Sequence, residues 1–221
     1  MFNRLFRVWT GKDLLSQAFD NFKTMLEITE KLFDGVTDVL LGKPGAKSEK
    51  EKLCLEDNRI NKLEHAVREK IIEHLIFEPE GDRLAALLLF SVVKDAERLG
   101  DFCKDIMDIA SHFPEEKSLG EYKDHFLKLE AQLEEMFSKA KNSFLKSDET
   151  MAREVVAIRE VIKKETRDIL SKLMTEENLN AETVASYALA IYFFKRVAAH
   201  LFNIASSVLV PIMDIGHYKM G

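Results

Sequence analysis

Proline and glycine are scarce in this chain, four and nine residues among 221. So few chain breakers exclude a many-stranded, turn-rich domain. Cysteine is scarcer still. Cys54 and Cys103 stand far apart with no Cys-x-x-Cys spacing, which excludes a disulfide scaffold and a structural zinc site and points to reduced thiols. A long uncharged apolar run is also missing. The stretch 185–213 is broken by Lys195, Arg196, His200 and Asn203, whereas a spanning helix needs about 20 mostly uncharged residues. It reads as a buried core helix. The segment from Met1 to Trp9 alternates apolar and basic residues and lacks the apolar core of a signal peptide. Excess positive charge is absent too: Lys and Arg total 32 against 38 Asp and Glu, a net charge of -6. That balance argues against a nucleic-acid partner. No Walker-type loop, nucleophile elbow or Ser-His-Asp order occurs, so no catalysis is expected. A cytoplasmic protein is expected.

What remains is rich in Leu, Ala, Glu and Lys, the composition of an all-α protein. Gly42-Lys43-Pro44-Gly45, Glu78-Pro79-Glu80-Gly81 and Phe113-Pro114 punctuate the first half between segments of helical periodicity. The pattern predicts helices over 12–41, 48–76 and 82–112, the second opening on Ser48 and Glu51 at capping-box spacing. It repeats over 118–145, then from an N-cap at Ser147 or Asp148 to 175, then 180–210. Six long helices in two sets of three predict two tandem three-helix bundles, with short turns making neighbours antiparallel. The expected division is 1–115, which carries the N-terminal segment, and 116–221. Glu97 to Asp101 can be laid on Lys195 to Ala199, and Asp57 to Asn61 on Arg159 to Lys163, an offset near one hundred residues that suits a duplicated small domain.

The third helix carries Glu97-x-x-x-Asp101, extended by Asp105 and Asp108. Residues four apart lie above one another on a helix, so these like charges cost stability unless a cation offsets them. Leu99, Phe102, Ile106, Ile109 and Phe113 form the apolar stripe of this helix. At about 100° per residue the carboxylates fall opposite it, which predicts that they are exposed. On the second helix Leu53, Ile60, Leu63, Val67 and Ile71 make the buried stripe, with Asp57, Asn61 and Glu64 to one side. Side-by-side packing would bring Asp57 and Asn61 toward Glu97 and Asp101. Carboxylates and an amide oxygen are hard ligands that suit Mg, Ca, Mn or Fe better than zinc. By periodicity alone an ordinary solvated acidic face is the commoner outcome. Gly100 tips the balance a little toward a site, because glycine inside a helix is kept where something must come close.

The string Asp95-Ala96-Glu97-Arg98-Leu99-Gly100-Asp101 resembles the Leu-Glu-Arg-Ile-Gly-Asp signature of PhoU-type phosphate-uptake regulators. Glu56-Asp57-Asn58-Arg59-Ile60-Asn61-Lys62-Leu63-Glu64 resembles the family's preceding-helix signature, and Arg196 to Ala205 is similar to the end of its second repeat. The resemblance covers nearly the whole chain. It implies two three-helix repeats that bind multinuclear metal clusters, often iron, on surface carboxylate motifs. It also implies contact with a phosphate transporter of Pst or Pit type at the cytoplasmic membrane face, and a relay to a sensor kinase. Peripheral membrane association and a homodimer are compatible with it. Carried onto this chain, the metal ligands are Glu97, Asp101, Asp57 and Asn61, with Asp105 and Glu64 beside them. The ion is iron, or zinc, manganese, magnesium or calcium.

The chain departs from that pattern in its second repeat. Lys195 stands at the place of Glu97, Ala199 at that of Asp101, Arg159 at that of Asp57 and Lys163 at that of Asn61. Three cations and an alanine cannot assemble a divalent-metal site, so a single site in the first repeat is expected, with the cations pairing internally to acids such as Glu160. None of the six histidines makes a Glu-x-x-His motif with these carboxylates, which disfavours a di-iron oxidase. His200 shares a polar stripe with Arg196, Asn203 and Ser207, and a hydrogen-bonded core histidine between repeats is its expected role. Two other classes stay open: a metal-free helical adaptor whose acidic edge binds a basic partner, and a metal-dependent enzyme of unknown substrate.

Overall fold

The structure is a computed structural model that describes residues 13–43, 50–77, 82–110, 112–113, 122–216 and 218. Six long helices follow one another: α1 Leu14–Leu40, α2 Lys50–Phe77, α3 Arg83–Ala110, α4 Lys123–Lys146, α5 Glu149–Leu173 and α6 Ala181–Ser206. A short 3-10 turn, Ile212–Asp214, comes after them. The all-α reading and the six helices hold. The Ser48–Glu51 capping box, the side chain of Cys54, Met1 to Trp9 and the proline turns at Pro44, Pro79 and Pro114 lie outside the described residues.

Local chemistry sets the helix ends. Asp13 caps α1 by accepting from the Ser16 amide at 2.7 Å. The other end of α1 closes with Gly42 at φ 71°, the Lys43 amide donating to Asp38 at 2.9 Å and the Gly42 amide to Val39 at 3.2 Å. Those two bonds satisfy carbonyls that the helix leaves orphaned, in the Schellman arrangement. The α4–α5 junction is tighter. Ser147 takes the left-handed conformation at φ 52°, and the next residue, Asp148, caps α5 through the Met151 amide at 3.0 Å. Asn180 caps α6 through Thr183.

α6 ends four residues before the expected Val210. The Ser206 and Ser207 hydroxyls donate to the Asn203 and Ile204 carbonyls at 3.1 and 2.6 Å. The amides of Val208 and Leu209 fall back to three-residue turns. Local hydroxyl bonds compete with helix continuation, and Pro211 disfavours a helical Val210.

Within each set of three, helices pack against one another: α1, α2 and α3 in the first, α4, α5 and α6 in the second. Lys70 of α2 donates to Gln17 of α1 at 2.8 Å, which fixes the α1–α2 pair as antiparallel. The two sets join along α3–α6 and α1–α4. The α1–α4 seam is aromatic: Phe22 meets Phe144 and Phe33 meets Phe137, each at 5.0 Å between centroids, and Phe33 also reaches Phe194 of α6. α6 is long and apolar enough to cross a membrane by length and composition, and half of its most apolar window is buried in the bundle. It packs against α3, α4 and α5, the core role expected of it.

Candidate functional site

α2 and α3 approach closely at Gly100. A Cβ there would lie 2.9 Å from Ile60 Cδ1, inside van der Waals contact, and 3.8 Å from Asp57 Oδ1. Its absence lets the fully buried Ile60 press onto the α3 backbone and carries Asp57 with it. The glycine thus has a packing reason, and the two acidic strings meet as the sequence suggested. The carboxylates are not an exposed edge, however. Glu97 is 8% exposed, Asp101 and Asp105 are half-buried, and only Asp108 is exposed. Neighbouring helices cover them. α3 is flanked by α1, α2 and α6, so three of its sides are covered and little of its surface remains opposite the apolar stripe.

A buried carboxylate must be paired or it costs several kcal/mol, and here cations of the same two helices do the pairing. Lys94 approaches Glu97 at 2.7 Å and reaches across to Glu64 of α2 at 3.9 Å. Arg68 holds Glu64 at 3.0 Å. Arg98 lies 2.8 Å from Asp101 and 3.8 Å from Glu97, and Lys104 lies 3.8 Å from Asp57. Asn61 is half-buried and makes no hydrogen bond among the described residues. Burial, followed by the like charges of Asp101 and Asp108, raises the Asp105 pKa. The buried Oε2 of Glu97 accepts no hydrogen bond. Among the described residues no three Asp, Glu, His or Cys side chains converge closely enough to hold a metal ion. The donors are of the right hard type, yet Glu97 and Asp101 are paired with Lys94 and Arg98.

The equivalent face of the second repeat is built from cations. The Arg159 guanidinium lies 4.0 Å above the Phe202 ring and 3.4 Å from Glu160, which also pairs with Lys163 at 3.3 Å. That is the internal pairing expected of these residues.

Two groups escaped the sequence reading. Asp95 of α3 accepts at Oδ1 from His200 at 2.7 Å and from Asn203 at 2.8 Å, both on α6. Arg196 donates to the other ring nitrogen of His200 at 3.2 Å. An arginine only donates, so Nε2 of His200 is the acceptor and Nδ1 carries the proton toward Asp95. His200 is therefore the hydrogen-bonded histidine between repeats that was expected, but its partner lay 105 residues away and had no local signal.

The second group lies along the α1–α4 seam. Glu30, Asp34 and Asp38 of α1 face Glu130 and Glu134 of α4. Lys43 pairs with Asp38 at 2.7 Å and Glu130 at 3.1 Å, and Lys141 pairs with Glu30. Burial and the surrounding carboxylates raise the pKa of both Asp34 and Glu134. A signal existed here: Glu30, Asp34 and Asp38 repeat the four-residue carboxylate spacing of α3, and so do Glu130 and Glu134.

Comparison with known proteins gives this arrangement a family. No curated protein matches the chain. Among solved structures, PhoU from Pseudomonas aeruginosa superimposes with a TM-score of 0.80 at 21% identity, over 89% of this chain and 95% of that one. The phosphate transport system regulatory protein PhoU from Streptococcus pneumoniae gives 0.77 at 18% identity, over 88% and 93%. At such identities the likeness shows the fold. The family model of the PhoU domain matches residues 22–110 and again 126–208, one match for each set of three helices. With both halves of its bundle matched in this way, the chain belongs to the PhoU domain family.

Proposed function

We propose that this protein regulates phosphate transport by contact with a phosphate transporter of Pst or Pit type, and that it relays transporter state to a sensor kinase, with no catalysis of its own. The observation that carries this reading is the double match of the PhoU domain, one on each three-helix unit. A neighbour of the same fold is itself a phosphate transport system regulatory protein. The protein would work from the cytoplasmic side of the membrane. Co-purification from membranes of cells grown with and without phosphate tests it. The transporter should come down with this protein in a phosphate-dependent way, and recovery of equal amounts of transporter with an unrelated helical bundle defeats the reading.

The finer proposal concerns the α2–α3 carboxylates. A hard cation, iron or another divalent ion, would take Glu97, Asp101 and Asp57 as ligands, with Asn61, Glu64 and Asp105 beside them. It would have to win these carboxylates from Lys94 and Arg98. Replacing both cations, Lys94→Ala with Arg98→Ala, is therefore expected to raise stoichiometric metal content measured by elemental analysis. If the double variant binds no more metal than the wild type, the second reading takes over: an adaptor without metal, whose acidic groups are held by its own lysines and arginines. The ion pairs in place favour that second reading specifically.

A further inference from the structure

Five large apolar side chains, Ile72, Ile76 and Phe77 of α2 and Leu84 and Leu87 of α3, stand between 45% and 74% exposed. They are contiguous. Glu64 pairs with Lys94 and Arg68 lies over Phe90, so moving four residues along α2 corresponds to moving four back along α3. Two further steps bring Ile72 level with residue 86, next to Leu87, and Ile76 level with residue 82, one helical step from Leu84. The patch thus runs to the tip of the α2–α3 hairpin. A recess of about 520 Å³ lined by His65, Arg68, Glu69, Ile72 and Glu73 continues it along α2. An apolar patch of this kind on a helical pair suits the apolar face of an amphipathic helix.

We infer that the occupant is the chain's own N-terminal segment, Phe2 to Trp9. Three observations point to it. First, Phe2, Leu5, Phe6 and Trp9 fall at i, i+3, i+4 and i+7, the anchor spacing of a helix laid in an apolar groove, while Arg4 and Arg7 fall on the opposite side. Second, the segment starts at the right end. Gln17 of α1 meets Lys70 of α2, and four residues of helix at 1.5 Å each bring Asp13 level with about residue 74, inside the span of the patch. Third, the rim suits a protein segment better than an anionic bilayer. Glu69 and Glu73 flank Ile72, and Arg68 is engaged by Glu64 and Phe90.

Trp9 is the single tryptophan of the chain, so its fluorescence reports the segment in the intact protein. Docking in cis gives a blue-shifted emission that is shielded from acrylamide, unchanged on dilution and present without lipid. Leu84→Glu with Leu87→Glu, both at exposed positions, should shift the emission to that of a water-exposed indole and raise quenching severalfold, with helical circular dichroism retained. Leu189→Glu, an exposed leucine of α6, serves as the control and should leave Trp9 unchanged. Three results overturn the inference: a water-exposed Trp9 in the wild type that turns blue only with anionic phosphatidylglycerol vesicles, a blue shift lost on dilution together with a dimer, or a blue shift that the double variant leaves intact.

Discussion

At Gly100 two opposing local effects meet. Alanine in place of glycine inside a helix gains up to about 1 kcal/mol of backbone propensity. The added Cβ would sit 2.9 Å from Ile60 Cδ1, between two fully buried positions, and overpacking of that kind costs about 1–3 kcal/mol. The net expectation for Gly100→Ala is a loss of about 1 kcal/mol, read from urea unfolding. Ile60→Val removes the offending methyl group. On its own it should cost about 1 kcal/mol, but combined with Gly100→Ala it should cost less than the sum of the two, since the residues touch. Additive losses would show that the contact does not set the α2–α3 distance. Glu97 teaches a related lesson. Its place on the helix was legible, but its burial was not, because periodicity describes one helix and burial depends on how many neighbours that helix has.

Among elements, the α4–α5 junction shows how much a helix end depends on one or two residues. Ser147 sits at φ 52°, where a side chain costs about 1–2 kcal/mol relative to glycine. Its amide and that of Asp148 close the end of α4 by donating to Phe144 and Ser143. Glycine at this position relieves the strain but loosens the unfolded chain by about 0.4–1 kcal/mol. Ser147→Gly is thus expected to stabilise the protein by up to about 1 kcal/mol, seen as a higher denaturation midpoint with an unchanged slope. A lower midpoint would mean that the Ser147 side chain does more at this junction than the backbone explains. The Asp148 cap was legible because an N-cap is a local signal, an acid just before an apolar-periodic run. The end of α6 was not, since its serines act on carbonyls that the pattern gave no reason to single out.

Across the whole molecule the two repeats are held by seams whose chemistry differs. The α3–α6 seam pairs Asp95 with His200 and Asn203, whereas the α1–α4 seam gathers five carboxylates around Lys43 and Lys141. The raised pKa values of Asp34 and Glu134 have a consequence for stability. The folded state holds these protons more tightly than the unfolded state, so stability falls as pH rises through the carboxylate range. The penalty is complete above the raised values and disappears as pH drops below the unfolded values of about 3.9 for Asp and about 4.3 for Glu. Asp34→Asn is accordingly expected to unfold at higher denaturant than the wild type at pH 7, with the two converging in acid. A variant less stable than the wild type at pH 7 would show that attraction to Lys43 outweighs the repulsion at this seam.

The sequence by itself determined the helices, their number and grouping, the duplicated unit and the pairing of the Asp57 and Glu97 strings on neighbouring helices. Those properties follow from spacing within one segment and from similarity between segments, and both are written along the chain. Only the tertiary structure decided that Lys94, Arg98 and Lys104 sit on the carboxylates, that Asp95 reaches His200, and that Asp34 and Glu134 share a seam. These contacts join residues on different helices or set one side chain among several rivals of opposite charge. Which partner wins is fixed by the packing distance between helices, and at α2–α3 the two backbones come close where Gly100 faces Ile60.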